Sequence, residues 1–141
     1  MRPLHLTLHA RPAGVVAGIR QSNSLGTLET LAPTPQQLSE PLPVTFEQTE
    51  AALAALPRMF IEPDGSLVWV STDPDRPWQL DGMLLDRGGK MLSVELKGSA
   101  PLECWEQIFQ TVGWPEVDLM FQLTQEAVWI DEATLRRLVG E

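Results

Sequence analysis

The sequence predicts an α+β (mixed α/β) fold in which helices flank a mixed β-sheet. Two segments have the apolar spacing of amphipathic helices, and between them lie two pairs of β-rich runs, each joined by turn-forming residues. The length of 141 residues fits one domain, because a chain of this size can bury roughly two thirds of its surface on folding. The predicted order is a helix, two β-hairpins, a helix, one or two strands, and a last helix.

The first 43 residues differ in composition from the rest of the chain, and the boundary falls near Pro43. Leucines at positions 4, 6 and 8 alternate with polar residues, which predicts a short half-buried strand with no identified partner. Residues 21–43 are rich in proline, serine, threonine and glutamine, a composition that buries little apolar surface. We therefore expect an N-terminal strand and an irregular arm over residues 1–43, followed by one α/β domain over 44–141.

The segment after this boundary predicts a helix and then two hairpins. Thr45 and Gln48 form a capping-box pattern that starts a helix of about residues 46–56. The first hairpin turns at Pro63-Asp64-Gly65, whose proline and glycine suit the central positions of a turn. The second hairpin turns at Arg87-Gly88-Gly89, between two longer β-rich runs.

The last third of the chain predicts an amphipathic helix that begins near Pro101 and ends at Gly113. The segments DLMFQL and AVWI then predict a strand and a second, shorter one. Asp131 is predicted to cap a final helix, whose last turn carries two arginines that complement the helix dipole. The helix after Lys97 can connect parallel neighbours, whereas the hairpins require antiparallel pairs, so the sheet is expected to be mixed.

Composition limits the function classes. Cys104 is the only cysteine, so no disulfide forms within the chain and a reducing compartment is expected. The formal net charge is −9, whereas proteins that bind duplex nucleic acid tightly normally carry a basic face. This argues against a dedicated DNA-binding protein but not against a weak contact with nucleic acid. No apolar run resembles a signal peptide or a membrane span, so we expect a cytoplasmic protein without membrane contact.

The second hairpin carries the residues that could perform chemistry. Glu95 and Lys97 are two positions apart on a predicted strand, so their side chains project from the same face. With a three-residue loop at Arg87-Gly88-Gly89, Asp81 would lie opposite Glu95 and join the pair. A two-residue loop would instead place Asp81 opposite Leu96 and separate it from the other two residues.

This cluster indicates a metal-dependent reaction. Two carboxylates facing each other repel unless a proton or a cation lies between them, and their oxygen atoms suit Mg²⁺ or Mn²⁺. Lys97 could then orient or activate a water molecule for attack on a phosphodiester. Asp81, a hairpin and Glu95-Leu96-Lys97 together resemble the Asp…Glu-x-Lys signature of the PD-(D/E)XK nuclease superfamily. The predicted elements from residue 45 to 123 are similar to its restriction-endonuclease-like core.

The resemblance implies a nuclease that acts on nucleic acid with a divalent metal. In such an enzyme Asp81 and Glu95 would be metal ligands and Lys97 the catalytic lysine. The alternative is that Glu95 and Lys97 form a solvated charge pair and that Asp81 bonds to a nearby backbone amide. The chain would then be a non-catalytic protein-interaction or structural domain, which could form a homodimer through its N-terminal arm or an exposed tryptophan patch.

Four other side chains have a weaker link to a metal site. Glu47 and Glu50 could complete a metal shell if the first helix packs over the cluster, and otherwise they are solvated helix charges. His5 and His9 alternate with leucines on the N-terminal strand and could in principle hold a metal, although isolated histidines are the simpler interpretation. The five tryptophans are expected mainly in the core.

Overall fold

The computed structural model describes residues 1–140, which adopt an α+β fold with one large sheet. The strands are β1 Leu4–Ala10, β2 Val16–Ala17, β3 Gln21–Asn23, β4 Gly26–Leu28, β5 Leu31–Ala32, β6 Met59–Ile61, β7 Ser66–Val70, β8 Gln79–Arg87, β9 Lys90–Ser99, β10 Leu119–Leu123 and β11 Val128–Asp131. The helices are α1 Pro35–Leu38, α2 Phe46–Ala54, α3 Leu102–Thr111 and α4 Glu132–Gly140. Nine strands form the sheet in the order β2-β5-β11-β10-β1-β9-β8-β7-β6, and β3 pairs separately with β4.

Local sequence signals account for the starts of two helices. The Thr45 hydroxyl accepts a hydrogen bond from the Gln48 backbone N–H (3.1 Å), and Gln48 Oε1 accepts one from the Thr45 backbone N–H (2.9 Å), so the predicted capping box is confirmed. At α4, Asp131 Oδ1 accepts a hydrogen bond from the Thr134 backbone N–H at 2.8 Å, which confirms the predicted cap. Each contact satisfies a backbone N–H that the helix itself leaves without a partner.

The turn between β6 and β7 lies at Pro63-Asp64-Gly65, as predicted. Asp64 accepts hydrogen bonds from the Ser66 hydroxyl (2.7 Å) and from the Ser66 backbone N–H (3.0 Å), and these bonds lower the pKa of the Asp64 carboxyl. Gly65 has a φ of 93°, in the left-handed region that favours glycine. The Pro63-Asp64 dipeptide therefore belongs to a turn.

Strand β1 lies in the middle of the large sheet, between β9 and β10. Its leucines are buried and its intervening residues are half-buried, so the predicted alternation is confirmed. Because β1 pairs antiparallel with both neighbours, a strand from residues 1–43 joins two strands from residues 44–141. The boundary predicted near Pro43 thus does not divide the sheet.

The predicted mixed sheet is wrong, because every strand pairing among residues 1–140 is antiparallel. Helix α3 does connect two strands that run in the same direction, β9 and β10. These strands are not neighbours, since β1 is inserted between them. An insertion from a distant part of the chain leaves no trace in the local pattern from which the crossover was predicted.

Residues 21–43 were expected to be an irregular arm, and this prediction is wrong in part. They contain the β3–β4 hairpin, strand β5 and the short helix α1, which begins with its own capping box at Thr34 and Gln37. Leu28 and Leu42 are fully buried and belong to the main core. A few well-placed leucines anchor the segment although its average composition is polar.

Helices α2, α3 and α4 pack on one face of the sheet. α2 contacts β6, β8 and β9, α4 contacts β10 and β11, and α3 packs against the other two helices. The largest fully buried side chains on this side are Trp69, Trp105, Phe109 and Phe121. We call the opposite side of the sheet the open face, because none of these three helices covers it. No helix within residues 1–140 is both long and apolar enough to cross a membrane.

Candidate functional site

The turn between β8 and β9 determines which side chains meet across the second hairpin. Arg87 pairs with Lys90, so the loop contains two residues, Gly88 and Gly89, and the predicted three-residue loop is wrong. The two glycines have φ values of 59° and 88°. Tight two-residue turns of this kind need positive φ at both central positions, which glycine adopts without strain.

A β-bulge next to the turn then changes the register. Asp86 pairs with Met91 but Leu85 pairs with Ser93, so Leu92 is an extra residue on β9. The bulge shifts every later pair by one position relative to a plain two-residue hairpin.

As a result, Asp81 lies opposite Lys97, and Glu95 lies opposite Met83. The predicted pairing of Asp81 with Glu95 is therefore wrong. The alternative pairing of Asp81 with Leu96 does not occur either. Asp81, Glu95 and Lys97 still project from the same side, because directly opposed residues and residues two positions apart share a face.

Neighbouring polar groups surround these three residues on the open face. His5 on β1 lies opposite Lys97, and its Nε2 is 3.5 Å from Glu95 Oε2. On the other side, Gln79 Nε2 donates a hydrogen bond to Asp81 Oδ1 at 2.9 Å. We call Asp81, Glu95, Lys97 and His5 the polar cluster.

The polar cluster does not fit a resident divalent cation. Glu95 is oriented toward His5, and Asp81 is diagonal to Glu95, a relation in which side-chain origins lie about 7–8 Å apart. Lys97, directly opposite Asp81, also places a positive charge on the same face as that carboxylate. Within residues 1–140, no three His, Cys, Asp or Glu side chains converge as metal ligands.

Helix α2 does not bring a further carboxylate to this site. Its buried Leu53 packs into the core on the other face of the sheet, with Leu80 and Leu96. Glu47 and Glu50 are therefore separated from the polar cluster by the sheet itself. One Glu50 carboxylate oxygen is buried without a hydrogen-bond partner.

An apolar stripe runs diagonally beside the polar cluster across β6, β7 and β8. Phe60 pairs with Val68, Val68 pairs with Asp81, and Met83 and Leu85 follow Asp81 at two-residue steps. The stripe therefore comprises Phe60 (61% exposed), Val68 (36%), Met83 (38%) and Leu85 (53%). Where it meets β9 and β1, a depression of about 260 Å³ is lined by Thr7, Met83, Leu85, Ser93 and Glu95.

The stripe was not predicted, although the sequence contains a signal for it. The runs LVWV in β7 and MLL in β8 are apolar at consecutive positions, whereas a strand with one solvated face normally alternates. Consecutive apolar residues predict that both faces of a strand have apolar surroundings. Only one face has them here.

The two histidines of β1 occupy different environments and do not form a joint site. His9 lies between Ser93 and Met120, and its ring meets the ring of Trp129 edge-on with centroids 4.7 Å apart. Burial lowers the pKa of His9 to about 4, and its buried Nδ1 has no hydrogen-bond partner. His5 is instead directed toward Glu95.

Cys104 and the tryptophans have structural environments. Burial raises the pKa of the Cys104 thiol to about 11, so little of the reactive thiolate forms near neutral pH. The buried Trp69 and Trp105 donate their indole N–H groups to backbone carbonyls. The Trp114 indole N–H donates a hydrogen bond to Glu132 Oε1 (2.6 Å), which links the segment after α3 to α4.

Comparison with protein-family models, with curated proteins and with solved structures finds no match to this chain. The arrangement of side chains on the open face is thus the basis for a proposal about function. That face carries an apolar stripe with a polar cluster beside it.

Proposed function

We propose that this chain is a non-catalytic interaction domain that binds a protein partner through the open face of its sheet. The observation that carries the proposal is the apolar stripe, in which Phe60 and Leu85 are each more than half exposed. On an antiparallel sheet with one solvated face, these positions are normally polar. The stripe exposes apolar surface on the order of 300 Å², a size at which such patches on single proteins are often functional.

The polar cluster supports the same function. A binding surface commonly combines an apolar centre with polar groups that fix the orientation of the partner. Asp81, Glu95 and Lys97 lie directly beside the stripe and keep their charged groups in solvent. They can form ion pairs with a partner without the cost of burying an unpaired charge.

Site-specific photocrosslinking in cells that naturally contain the protein tests this proposal. A photoreactive amino acid at Met83 is expected to crosslink to a discrete partner, which mass spectrometry identifies. The same group at Gln110, an exposed position on α3, is the matched control and should give no such product. Leu85→Glu should abolish the crosslink from Met83 while leaving the thermal melt within about 0.5 kcal/mol of wild type. Equal labelling from Met83 and Gln110 would contradict the proposal.

A second candidate is the activity that the family resemblance implies, phosphodiester hydrolysis on nucleic acid in a restriction-endonuclease-like core. One observation favours it: Asp81, Glu95 and Lys97 share an exposed face. Asp81 and Glu95 would be the ligands of Mg²⁺ or Mn²⁺, and Lys97 would be the catalytic residue. Since the two carboxylates do not fit a resident ion, the substrate would have to supply further ligand oxygens.

Isothermal titration of Mn²⁺ in the presence of a short non-hydrolysable oligonucleotide tests this second candidate. Saturable metal binding that both Asp81→Ala and Glu95→Ala abolish would support it and would justify nuclease assays with Lys97→Ala. Thermal melts establish that all variants remain folded. If the wild-type protein binds neither metal nor oligonucleotide, the nuclease candidate is wrong.

A further inference from the structure

We propose that the depression beside Glu95 binds the guanidinium group of an arginine side chain, which the protein partner presents to the open face. The inference rests on the proposed function, because it names the chemistry that the same surface recognises. Three properties of the depression carry it: its shape, its hydrogen-bonding groups and its local charge.

The depression forms where a small residue is surrounded by larger ones on the open face. Ser93 lies opposite Leu85 on β8 and opposite His9 on β1. Glu95 follows it on the same face of β9. These longer side chains surround the serine, which is only 3% exposed although α2, α3 and α4 pack on the other side of the sheet. The volume of about 260 Å³ is smaller than the roughly 300–1,000 Å³ of small-molecule pockets, so it suits a single side chain.

The lining combines an apolar wall with three groups that accept hydrogen bonds. Met83 (38% exposed) and Leu85 (53%) form the wall. The acceptors are the Glu95 carboxylate and the hydroxyls of Thr7 and Ser93. Neither hydroxyl makes a hydrogen bond to another group within residues 1–140. A side chain with a long apolar stem and several N–H donors at its end matches this combination.

The positions of the acceptors favour arginine over lysine. Thr7 lies directly opposite Glu95, and Ser93 is two residues from Glu95 on the same face, so the three groups originate within about 5–7 Å of one another. A guanidinium group carries five N–H donors in one plane, so it can pair with both oxygens of a carboxylate and still donate to a hydroxyl. A lysine ammonium donates from a single, more strongly hydrated atom.

The local charge also favours a cation in the depression. The Glu95 side chain is 54% exposed, and its contact with His5 (Oε2 to Nε2, 3.5 Å) neutralises its charge only when the imidazole is protonated. Lys97 lies beyond Glu95, about 13 Å along the strand from Ser93, whereas the Debye length at physiological salt is about 8 Å. The net charge of −9 attracts a basic partner from a longer distance.

NMR titration of the whole chain with N-acetyl-arginine methylamide tests the arginine site. The backbone amide signals of Thr7, Ser93 and Glu95 are expected to shift saturably at roughly millimolar probe, an affinity suited to one side chain. N-acetyl-citrulline methylamide has nearly the same shape without the charge. This probe and N-acetyl-lysine methylamide should each bind at least about tenfold more weakly.

Two substitutions separate the charge of the arginine site from its space. Glu95→Gln removes the charge and retains the shape, whereas Ser93→Val retains the charge and fills the floor. Each should weaken binding of the arginine probe by more than about tenfold. Glu103→Gln removes one charge from the exposed side of α3 and, as the matched control, should bind the probe like wild type. Circular dichroism of every variant establishes that it is folded.

The outcomes separate this inference from the proposal on which it rests. The arginine site is wrong if the three amides do not shift saturably, if the three probes bind equally, or if Glu95→Gln and Glu103→Gln have equal effects. A discrete crosslink from Met83 would then leave the interaction domain with a partner of different chemistry. If the arginine probe binds as expected but Met83 gives no crosslink, the depression binds guanidinium groups and the proposed protein partner is wrong.

Discussion

Lowering the pH from 7 to about 4.5 is expected to destabilise the protein through His9. Burial lowers the pKa of His9 from 6.5 to about 4, so the folded chain keeps this imidazole neutral where the unfolded chain protonates it. The unfolded state then binds more protons, and the free energy of unfolding falls as the pH drops below about 6.5. The fall ends near pH 4, where His9 is protonated in the folded state as well.

The expected size follows from the environment of His9. One unit of pKa difference corresponds to about 1.4 kcal/mol, so the lowered pKa of His9 can reduce the free energy of unfolding by about 3 kcal/mol in total. About 2 kcal/mol of this reduction is reached at pH 4.5. The physical cause is the packing of the ring between Met120, Ser93 and Trp129, where a charged imidazolium loses its hydration.

Urea unfolding at both pH values, on wild type, His9→Phe and His9→Gln, measures this effect. Carboxylates also titrate in this range, but they affect all three proteins alike, so the difference isolates His9. The wild type should lose about 2 kcal/mol more than either variant, because neither replacement titrates. The two replacements differ in polarity, which separates titration from packing. An equal loss in all three proteins would refute the reasoning.

Three further substitutions test the fold. Arg136 forms ion pairs with Glu106 (2.8 Å) and Glu132 and lies over the Trp114 ring. Arg136→Ala should therefore lower the free energy of unfolding, measured by chemical denaturation, by about 1–2 kcal/mol. Arg136→Lys should lower it by less. Thr45→Ala should cost about 1 kcal/mol by the same assay, whereas Thr45→Ser should be nearly neutral because it retains the cap. Gly82→Ala should lower the free energy of unfolding by about 2 kcal/mol or more, since the added Cβ would lie 2.6 Å from a backbone carbonyl oxygen of β9. If the variant instead has the wild-type melting temperature, the strands can separate locally.

The sequence by itself determined the features that depend on near neighbours. Thr45 and Asp131 cap their helices, and Gly65 turns the first hairpin, because each feature requires contacts only within a few residues. The α+β class follows from the same local periodicities. The shared face of Glu95 and Lys97 was also predictable, since it depends only on the alternation of side chains along a strand.

The register of the second hairpin depended on a detail that the local pattern did not specify. Both loop lengths considered from the sequence assumed a regular ladder beyond the turn. Leu92 forms a bulge that moves Asp81 from Leu96 to Lys97. A bulge is favoured by how the strand packs and twists within the whole sheet, so residue type alone did not reveal it.

Only the tertiary structure decided where β1 lies and which side of the sheet stays uncovered. β1 pairs with strands about 90 and 110 residues further along the chain, and it separates β9 from β10. Helices α2, α3 and α4 then all pack on one side, which leaves Phe60 and Leu85 exposed on the other. The physical reason is that apolar residues specify burial but not the partner that provides it. The sequence therefore determined which residues can be buried, and the packing of distant segments decided which of them stay exposed.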